Sequence, residues 1–221
     1  MAVITYKDIV NNKEIRTYLQ NGNALLGVLG YTEHSLRHAA KVAETAGNIL
    51  IQLGYSEREA ELARIAGYMH DIGNVVNRID HAQTGAVMAF NILTRMGMDP
   101  EEIAPIIAAI GNHDEDTGSA VNTISSALIL ADKSDVRRTR VRNSDFATFD
   151  IHDRVNYAVE NSTISVDPGQ RTILLTLTID TEICSLMDYF EIFLARMLMC
   201  RRAADFLNVK FELVINGAKL L

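Results

Sequence analysis

Two carboxylates lie inside segments of this sequence that are otherwise almost entirely apolar. Asp71 follows His70 at the end of the run Ile65-Ala-Gly-Tyr-Met, and Asp132 follows the run Leu128-Ile-Leu-Ala. Aspartate is rarely buried without a partner, and a buried His-Asp pair is costly unless a metal or a hydrogen-bond network satisfies it. These two positions therefore constrain the fold to one that brings polar partners together in its core, as helical bundles do.

Capping signals predict successive helices over the first 160 residues. Thr32 and Gly54 mark the start and the end of one helix, whose apolar residues recur at helical spacing. Ser56 with Glu59 forms a capping box that opens the next helix. The predicted helices cover about 13–20, 33–53, 57–72, 81–96, 100–110, 123–141 and 151–160.

The pattern changes after residue 160. Ser162–Val166 and Arg171–Ile179 read as strands joined by the turn 167–170, and a long helix over about 182–207 precedes a strand at 209–215. We therefore predict a mainly α protein with a helical domain at 1–160. A small α+β unit of β-β-α-β order at 161–221 would then line the pocket or form a dimer interface. Cys184 and Cys200 both fall in the long helix, about 24 Å apart, too far to form a disulfide.

Charge and hydropathy exclude several classes of protein. Lys plus Arg is 21 and Asp plus Glu is 28, which gives a net charge of −7. This acidity argues against dedicated nucleic-acid binding, but it leaves room for a small anionic substrate, because a bound metal reverses the local charge. No uncharged apolar run reaches the roughly 20 residues that span a bilayer. The start of the chain lacks the apolar core of a signal peptide, so we predict a cytoplasmic protein without membrane contact.

Histidines and carboxylates on three predicted helices supply a set of two nitrogen and two oxygen ligands. The set is His34, His70, Asp71 and Asp132. With its flanks, such as Ile72-Gly73 after the pair and Ala131 before Asp132, it resembles the HD superfamily of metal-dependent phosphohydrolases over residues 31–140. The resemblance implies an HD-domain helical bundle and hydrolysis of a phosphoester or phosphoanhydride by metal-activated hydroxide. It also implies a central catalytic role for His70 and Asp71. His38 lies one predicted turn after His34 and is the alternative ligand.

The resemblance also implies a second metal in some members of the family. Here His81, in a His-Ala…Gly-Ala helix start, and His113, in the following loop, match its ligands, and Asp71 would bridge the two ions. Cyclic-dinucleotide phosphodiesterases of this kind often carry two adjacent histidines where this chain has Asn112-His113, and they carry a Gly-Tyr-Pro signature that is absent here. The pattern is closer to relatives that hydrolyse nucleotides or dinucleoside polyphosphates.

Substrate contacts are predicted beside the metal ligands. Lys133 adjoins Asp132 in a basic run, and Arg37 lies about one turn from His34. Asn74 is also predicted to contact substrate; it stands where the family commonly has lysine, so another cation would have to meet the phosphate here. Asp135, one turn after Asp132, is predicted to support a ligand or to contact substrate.

Imidazole and carboxylate ligands suit Mn²⁺, Fe²⁺, Co²⁺, Ni²⁺, Zn²⁺ or Mg²⁺. We expect one ion, or two if His81 and His113 also bind, and a small phosphorylated substrate such as a nucleotide. Two alternatives stay open at this point: a di-iron oxygenase with the same ligand types, and a non-catalytic ligand-sensing module that forms a homodimer through its C-terminal unit.

Overall fold

The computed structural model describes residues 3–221. These residues form nine α-helices and a four-stranded sheet, and the ninth helix lies between the second and third strands. The helices are α1 Tyr6–Asn11, α2 Lys13–Val28, α3 Leu36–Gln52, α4 Glu57–Met69, α5 His81–Met96, α6 Pro100–Gly111, α7 Thr123–Lys133, α8 Ile151–Ala158 and α9 Leu186–Phe206. Short 3₁₀ turns cover Ile72–Val75, Arg138–Arg140 and Phe146–Thr148. The strands are β1 Val159–Asp167, β2 Thr172–Ile179, β3 Lys210–Ile215 and β4 Ala218–Lys219. The predicted mainly α fold with a C-terminal α+β appendage is confirmed.

Local capping signals locate several helix starts correctly. The capping box of Ser56 and Glu59 opens α4, with both reciprocal hydrogen bonds present. Asp99 caps α6 by accepting a hydrogen bond from the Glu101 N–H, and Pro100 occupies the first helical position. These side chains satisfy backbone N–H groups that have no partner inside the helix, and so they fix where each helix begins.

Two predicted helix ends and one predicted helix cap are wrong. Helix α2 continues through Asn21-Gly22 to Val28 and does not end there. Gly22 is needed for close packing, since a Cβ at this position would lie 3.0 Å from the backbone nitrogen of Val75. Helix α7 ends at Lys133 and not near residue 141. Asp80 has φ 56° and makes no side-chain cap for α5.

The start of α3 bears directly on the site. Its N-cap is Ser35, whose hydroxyl accepts a hydrogen bond from the Arg37 N–H, and not Thr32 as predicted. His34 therefore lies before the helix, and His38 lies within its first turn. The prediction that the two histidines share one helical face is wrong for this reason.

The C-terminal sheet has the order β1-β2-β3-β4. Strands β1 and β2 form an antiparallel hairpin, whereas β2 and β3 run parallel because α9 connects them as a crossover. This is the predicted β-β-α-β order, with β4 added as a short antiparallel edge. Cys184 precedes α9, whose N-cap is Ser185, so it does not share a helix with Cys200; both cysteines are buried and free.

The hydrophobic core runs without a break from the helical part into the C-terminal part. Phe193 and Met197 of α9 belong to the same buried cluster as Leu128 of α7. Between α3 and α4 the approach is very close, because a Cβ on Gly67 would lie 2.7 Å from the Ala43 Cα. The division at residue 160 stays a prediction. Within residues 3–221, no helix combines the length and the hydropathy required to cross a membrane.

Candidate metal centre

Four buried imidazoles form a row in the core of the helical part. One comes from α3, one follows α4, one begins α5 and one follows α6: His38, His70, His81 and His113. Neighbouring ring centroids lie 5.2 Å apart for His38 and His70, 4.9 Å for His70 and His113, and 5.0 Å for His81 and His113. The close packing of α3 on α4 brings the first two rings together.

A protein oxygen holds the Nδ1 atom of each ring. The partners are Asp135 Oδ2 at 2.8 Å for His38, Gly67 O at 2.8 Å for His70, Arg78 O at 3.0 Å for His81 and Ile110 O at 2.6 Å for His113. A ring that donates from Nδ1 has its other nitrogen, Nε2, free to bind a metal. This arrangement of outer partners is the usual one around metal-binding histidines.

Two carboxylates face the first pair of rings. Asp71 Oδ2 lies 3.7 Å from His38 Nε2 and 3.3 Å from His70 Nε2. Asp132 Oδ1 lies 3.4 Å and 3.6 Å from the same two nitrogens. Two nitrogen and two oxygen atoms therefore surround one point, which we call the first position.

Two atoms of the first position have no hydrogen-bond partner although they are buried. They are His38 Nε2 and Asp71 Oδ2. Leaving a buried polar atom unpaired costs about 1–3 kcal/mol, and a divalent cation held between them would satisfy both. The residues of the first position thus fit a metal ion with mixed imidazole and carboxylate ligands.

A second group of possible ligand atoms adjoins the first. Asp71 Oδ1 lies 3.8 Å from His81 Nε2, which lies 3.2 Å from His113 Nε2. The three residues form a cluster with metal-binding geometry, which we call the second position. Asp71 presents one oxygen to each position, as a bridging carboxylate would.

The structure brings together five of the six predicted metal ligands, and it places His38 where His34 was expected. The His34 ring centroid lies 5.6 Å from that of His38, and its Nδ1 atom is 2.8 Å from Thr32 O. His34 is absent from each of the ligand clusters found among residues 3–221. The cause is the Ser35 cap, which starts α3 one turn late and leaves His38 as the histidine that faces α4.

Comparison with known proteins assigns the chain to a family. The model of the HD domain matches residues 33–144, which contain all the residues of both positions. The chain belongs to the HD domain family. An uncharacterized protein of Methanocaldococcus jannaschii is 30% identical over 160 residues, which cover 62% of this chain and 61% of that protein.

Further relatives match a smaller share of this chain. Ribonuclease Y of Deinococcus radiodurans is 34% identical over 101 residues, 46% of this chain but 16% of that enzyme. A crystal structure of a predicted HD superfamily hydrolase from an uncultured Thermotogales bacterium has 25% sequence identity and a TM-score of 0.44, covering 57% of this chain and 68% of that one. The chain thus spans about three fifths of the Methanocaldococcus protein and about a sixth of the ribonuclease.

Electrostatics keep the carboxylates of this HD domain charged. Burial would lower the pKa of His70, but Asp71 and Asp132 outweigh it and raise that pKa to about 10. Burial likewise opposes ionisation of Asp71, yet His70 and the other nearby imidazoles hold its pKa well below the usual value. Both oxygens of Asp71 are therefore available as anionic ligands at neutral pH.

Lys133 contacts a ligand, and its own charge is already compensated. Its Nζ lies 2.8 Å from Asp132 Oδ2 and 2.5 Å from Glu115 Oε2. Arg196 of α9 also binds Glu115, with its Nε 2.6 Å from Oε1. Lys133 lines the cavity above the centre, but its ion pairs show that it fixes the orientation of Asp132.

The other two predicted substrate contacts lie elsewhere. Arg37 is exposed and is not among the described residues that line the cavity. Asn74 is buried and donates from Nδ2 to Asp71 Oδ1 at 2.7 Å. Asn74 therefore orients a metal ligand, and Arg37 lies on the exposed surface of α3 outside the lining of the cavity.

A cavity of about 670 Å³ opens above both positions. Its floor includes Asp71 and Asp132, and its walls carry side chains that the sequence did not single out. These are Tyr31, Arg78, Glu115, Phe193 and Arg196, beside Arg140 of the basic run that follows Asp132. They come from loops and from α9, where no short motif marks them.

Asp135 supports the first position from behind, as one of its predicted roles required. It is buried, it binds His38 Nδ1, and Lys41 Nζ and Arg137 Nε hold its Oδ1 at 2.7 Å and 2.8 Å. We expect Asp135→Ala to weaken Mn²⁺ binding by about 10–100-fold, the usual effect of losing such a partner. Isothermal titration with Mn²⁺ measures this. Asp135→Asn keeps an acceptor for His38 and should lose less; equal affinity of the alanine variant and the unchanged protein would contradict the role.

Proposed function

We propose that this HD domain protein is a metal-dependent phosphohydrolase. It would cleave a phosphoester or phosphoanhydride bond of a nucleotide or related small molecule. The observation that carries the proposal is the convergence of buried ligand atoms, two of them without any partner, at the floor of an open cavity. Membership of the HD domain family supports the same conclusion.

Each residue of the centre has a distinct task in this proposal. His38, His70, Asp71 and Asp132 would hold the ion at the first position. A divalent ion bound there lowers the pKa of coordinated water and neutralises charge on phosphoryl oxygens. Asp135 and Asn74 keep His38 and Asp71 in place through their hydrogen bonds.

The cavity wall suits a substrate with a flat organic group next to its phosphate. Leu29, Tyr31 and Ile79 line the cavity and have exposed fractions of 62%, 44% and 74%. An aromatic base could stack on Tyr31 while the phosphate reaches the ligands below. Arg78 and Arg140 also line the cavity, so cations lie near the phosphate. These features support a nucleotide as substrate.

Removing metal should remove activity. We expect complete loss of phosphate release after chelation, and recovery when Mn²⁺, Co²⁺, Ni²⁺, Fe²⁺, Zn²⁺ or Mg²⁺ is added back one at a time. Phosphate release from nucleoside mono-, di- and triphosphates and from p-nitrophenyl phosphate measures it.

The same panel separates the alternatives. An RNA oligonucleotide is included because ribonuclease Y matches part of this chain; the net charge of −7 predicts slow cleavage of it. Absence of turnover with every metal would contradict the proposal and favour a ligand-sensing module. Oxygen uptake by the iron-loaded protein would favour an oxygenase. A homodimer, a cytoplasmic location and the absence of membrane contact stay predictions.

A further inference from the structure

Arg78 lies beside the second position. It belongs to the irregular segment between the Ile72–Val75 turn and α5, and its Nη1 is 3.2 Å from His81 Nε2 and 3.5 Å from Asn74 Oδ1. Its guanidinium carbon is 5.7 Å from the centroid of the Tyr31 ring. A cationic group therefore sits against the nitrogen that His81 would offer to a second ion.

The two positions differ in how their ligand atoms are satisfied. At the first, His38 Nε2 and Asp71 Oδ2 have no partner. At the second, Asn74 donates to Asp71 Oδ1 at 2.7 Å, and Arg78 Nη1 donates to His81 Nε2 at 3.2 Å. Side chains of the protein thus already donate to two ligand atoms of the second position, whereas two ligand atoms of the first have no partner.

Other basic side chains around the cavity are already bound. Lys133 and Arg196 pair with Glu115. Arg140 donates from Nε to Glu33 O at 2.9 Å and from Nη1 to Asp135 O at 2.6 Å, and its Nη1 lies 4.0 Å from the Asp135 carboxylate, which compensates part of its charge. Within residues 3–221, Arg78 has no carboxylate oxygen within 4.0 Å. It is therefore a cation whose charge is available to the site.

We propose that Arg78 takes the place of a second metal ion. Its guanidinium keeps His81 and His113 from binding a cation, because like charges repel at this distance, so the protein binds one divalent ion. The planar guanidinium then presents N–H donors to the phosphoryl group of the substrate, a geometry suited to phosphate. This last role rests on the proposed hydrolysis, whereas the number of ions does not.

The number of bound ions tests the proposal without substrate. The chelated protein is dialysed against Mn²⁺ alone, and metal per chain is measured by mass spectrometry. We expect one ion for the unchanged protein and for Arg78→Lys, and two for Arg78→Ala. Spin coupling between two Mn²⁺ ions in the electron paramagnetic resonance spectrum would identify them as neighbours.

Two controls complete the test. Arg202→Ala, an exposed arginine of α9, should bind one ion, and adding His81→Ala to Arg78→Ala should return the count from two to one. One ion in a folded Arg78→Ala variant, or two in the unchanged protein, would overturn the proposal. Either result would leave the proposed hydrolysis at the first position standing, because the count involves no turnover.

Discussion

Replacing Asp71 with alanine is expected to abolish phosphate release, with a loss of about a thousandfold or more, equivalent to about 4 kcal/mol of transition-state stabilisation. Asp71 is the residue whose two oxygens face both positions, and its Oδ2 has no hydrogen-bond partner. The change removes a ligand of the first position and leaves Asn74 without its carboxylate acceptor. Phosphate release and metal content are measured on the same preparation.

The fold should survive this change. Asp132 Oδ1 still faces His70 Nε2 at 3.6 Å, so circular dichroism and the melting curve should remain those of a folded helical protein. Asp205→Ala, on the exposed side of α9, serves as control and should keep full activity and metal. An Asp71→Ala protein that is both active and replete with metal would refute the assignment.

His38→Ala should lose the metal at the first position, whereas His34→Ala should retain it. His38 Nε2 lies within 3.7 Å of oxygens from both Asp71 and Asp132, while His34 is outside the ligand clusters found among residues 3–221. We expect the affinity for Mn²⁺ to fall at least about a hundredfold in His38→Ala, since it loses a direct ligand and not only an outer partner. Titration calorimetry of the two variants makes the comparison.

The reverse result would support the ligand set first predicted from the sequence. If His34→Ala lost metal and His38→Ala kept it, α3 would have to begin before Ser35 in the metal-bound protein. Kinetic measurements distinguish the His34 and His38 variants further. His34 lines the cavity, so its alanine variant could show an altered KM while its metal content stays at one ion.

Local signals in the sequence were sufficient for much of the fold. Caps such as Ser56-Glu59 and Asp99-Pro100 bond backbone groups within three residues of themselves, so their effect is visible without tertiary information. The turn at 167–170 between alternating apolar runs likewise defined the hairpin of β1 and β2. The improbability of a lone buried carboxylate was enough to select Asp71 and Asp132.

Where two capping or helix-ending signals lie close together, local patterns predicted the wrong helix boundary. Thr32 and Ser35 are both good N-caps, and the choice between them decides which histidine enters the first turn of α3. Asn21-Gly22 reads as a helix end, but Gly22 sits where α2 passes close to Asn74 and Val75. Such choices depend on residues far away in the sequence, which no local pattern contains.

Contacts between segments far apart in the chain also could not be predicted from the sequence. Arg78 lies on an irregular segment three residues before His81, and its neighbour Tyr31 reaches it only through the tertiary fold. Glu115 joins Lys133 to Arg196, which is 81 residues away in the chain. A charged side chain in a loop is usually solvated, so the sequence offered no reason to select Arg78 or Glu115.

The ion pair between Arg196 and Glu115 ties the wall of the cavity to a helix outside the matched HD domain segment. Phe193 lines the same cavity from one turn earlier on α9. Substitutions along this helix can therefore reshape the cavity while every histidine and aspartate of the centre stays unchanged. Proteins with identical ligand sets need not share substrates, and the sequence of α9 is the part to compare when relatives are sorted by specificity.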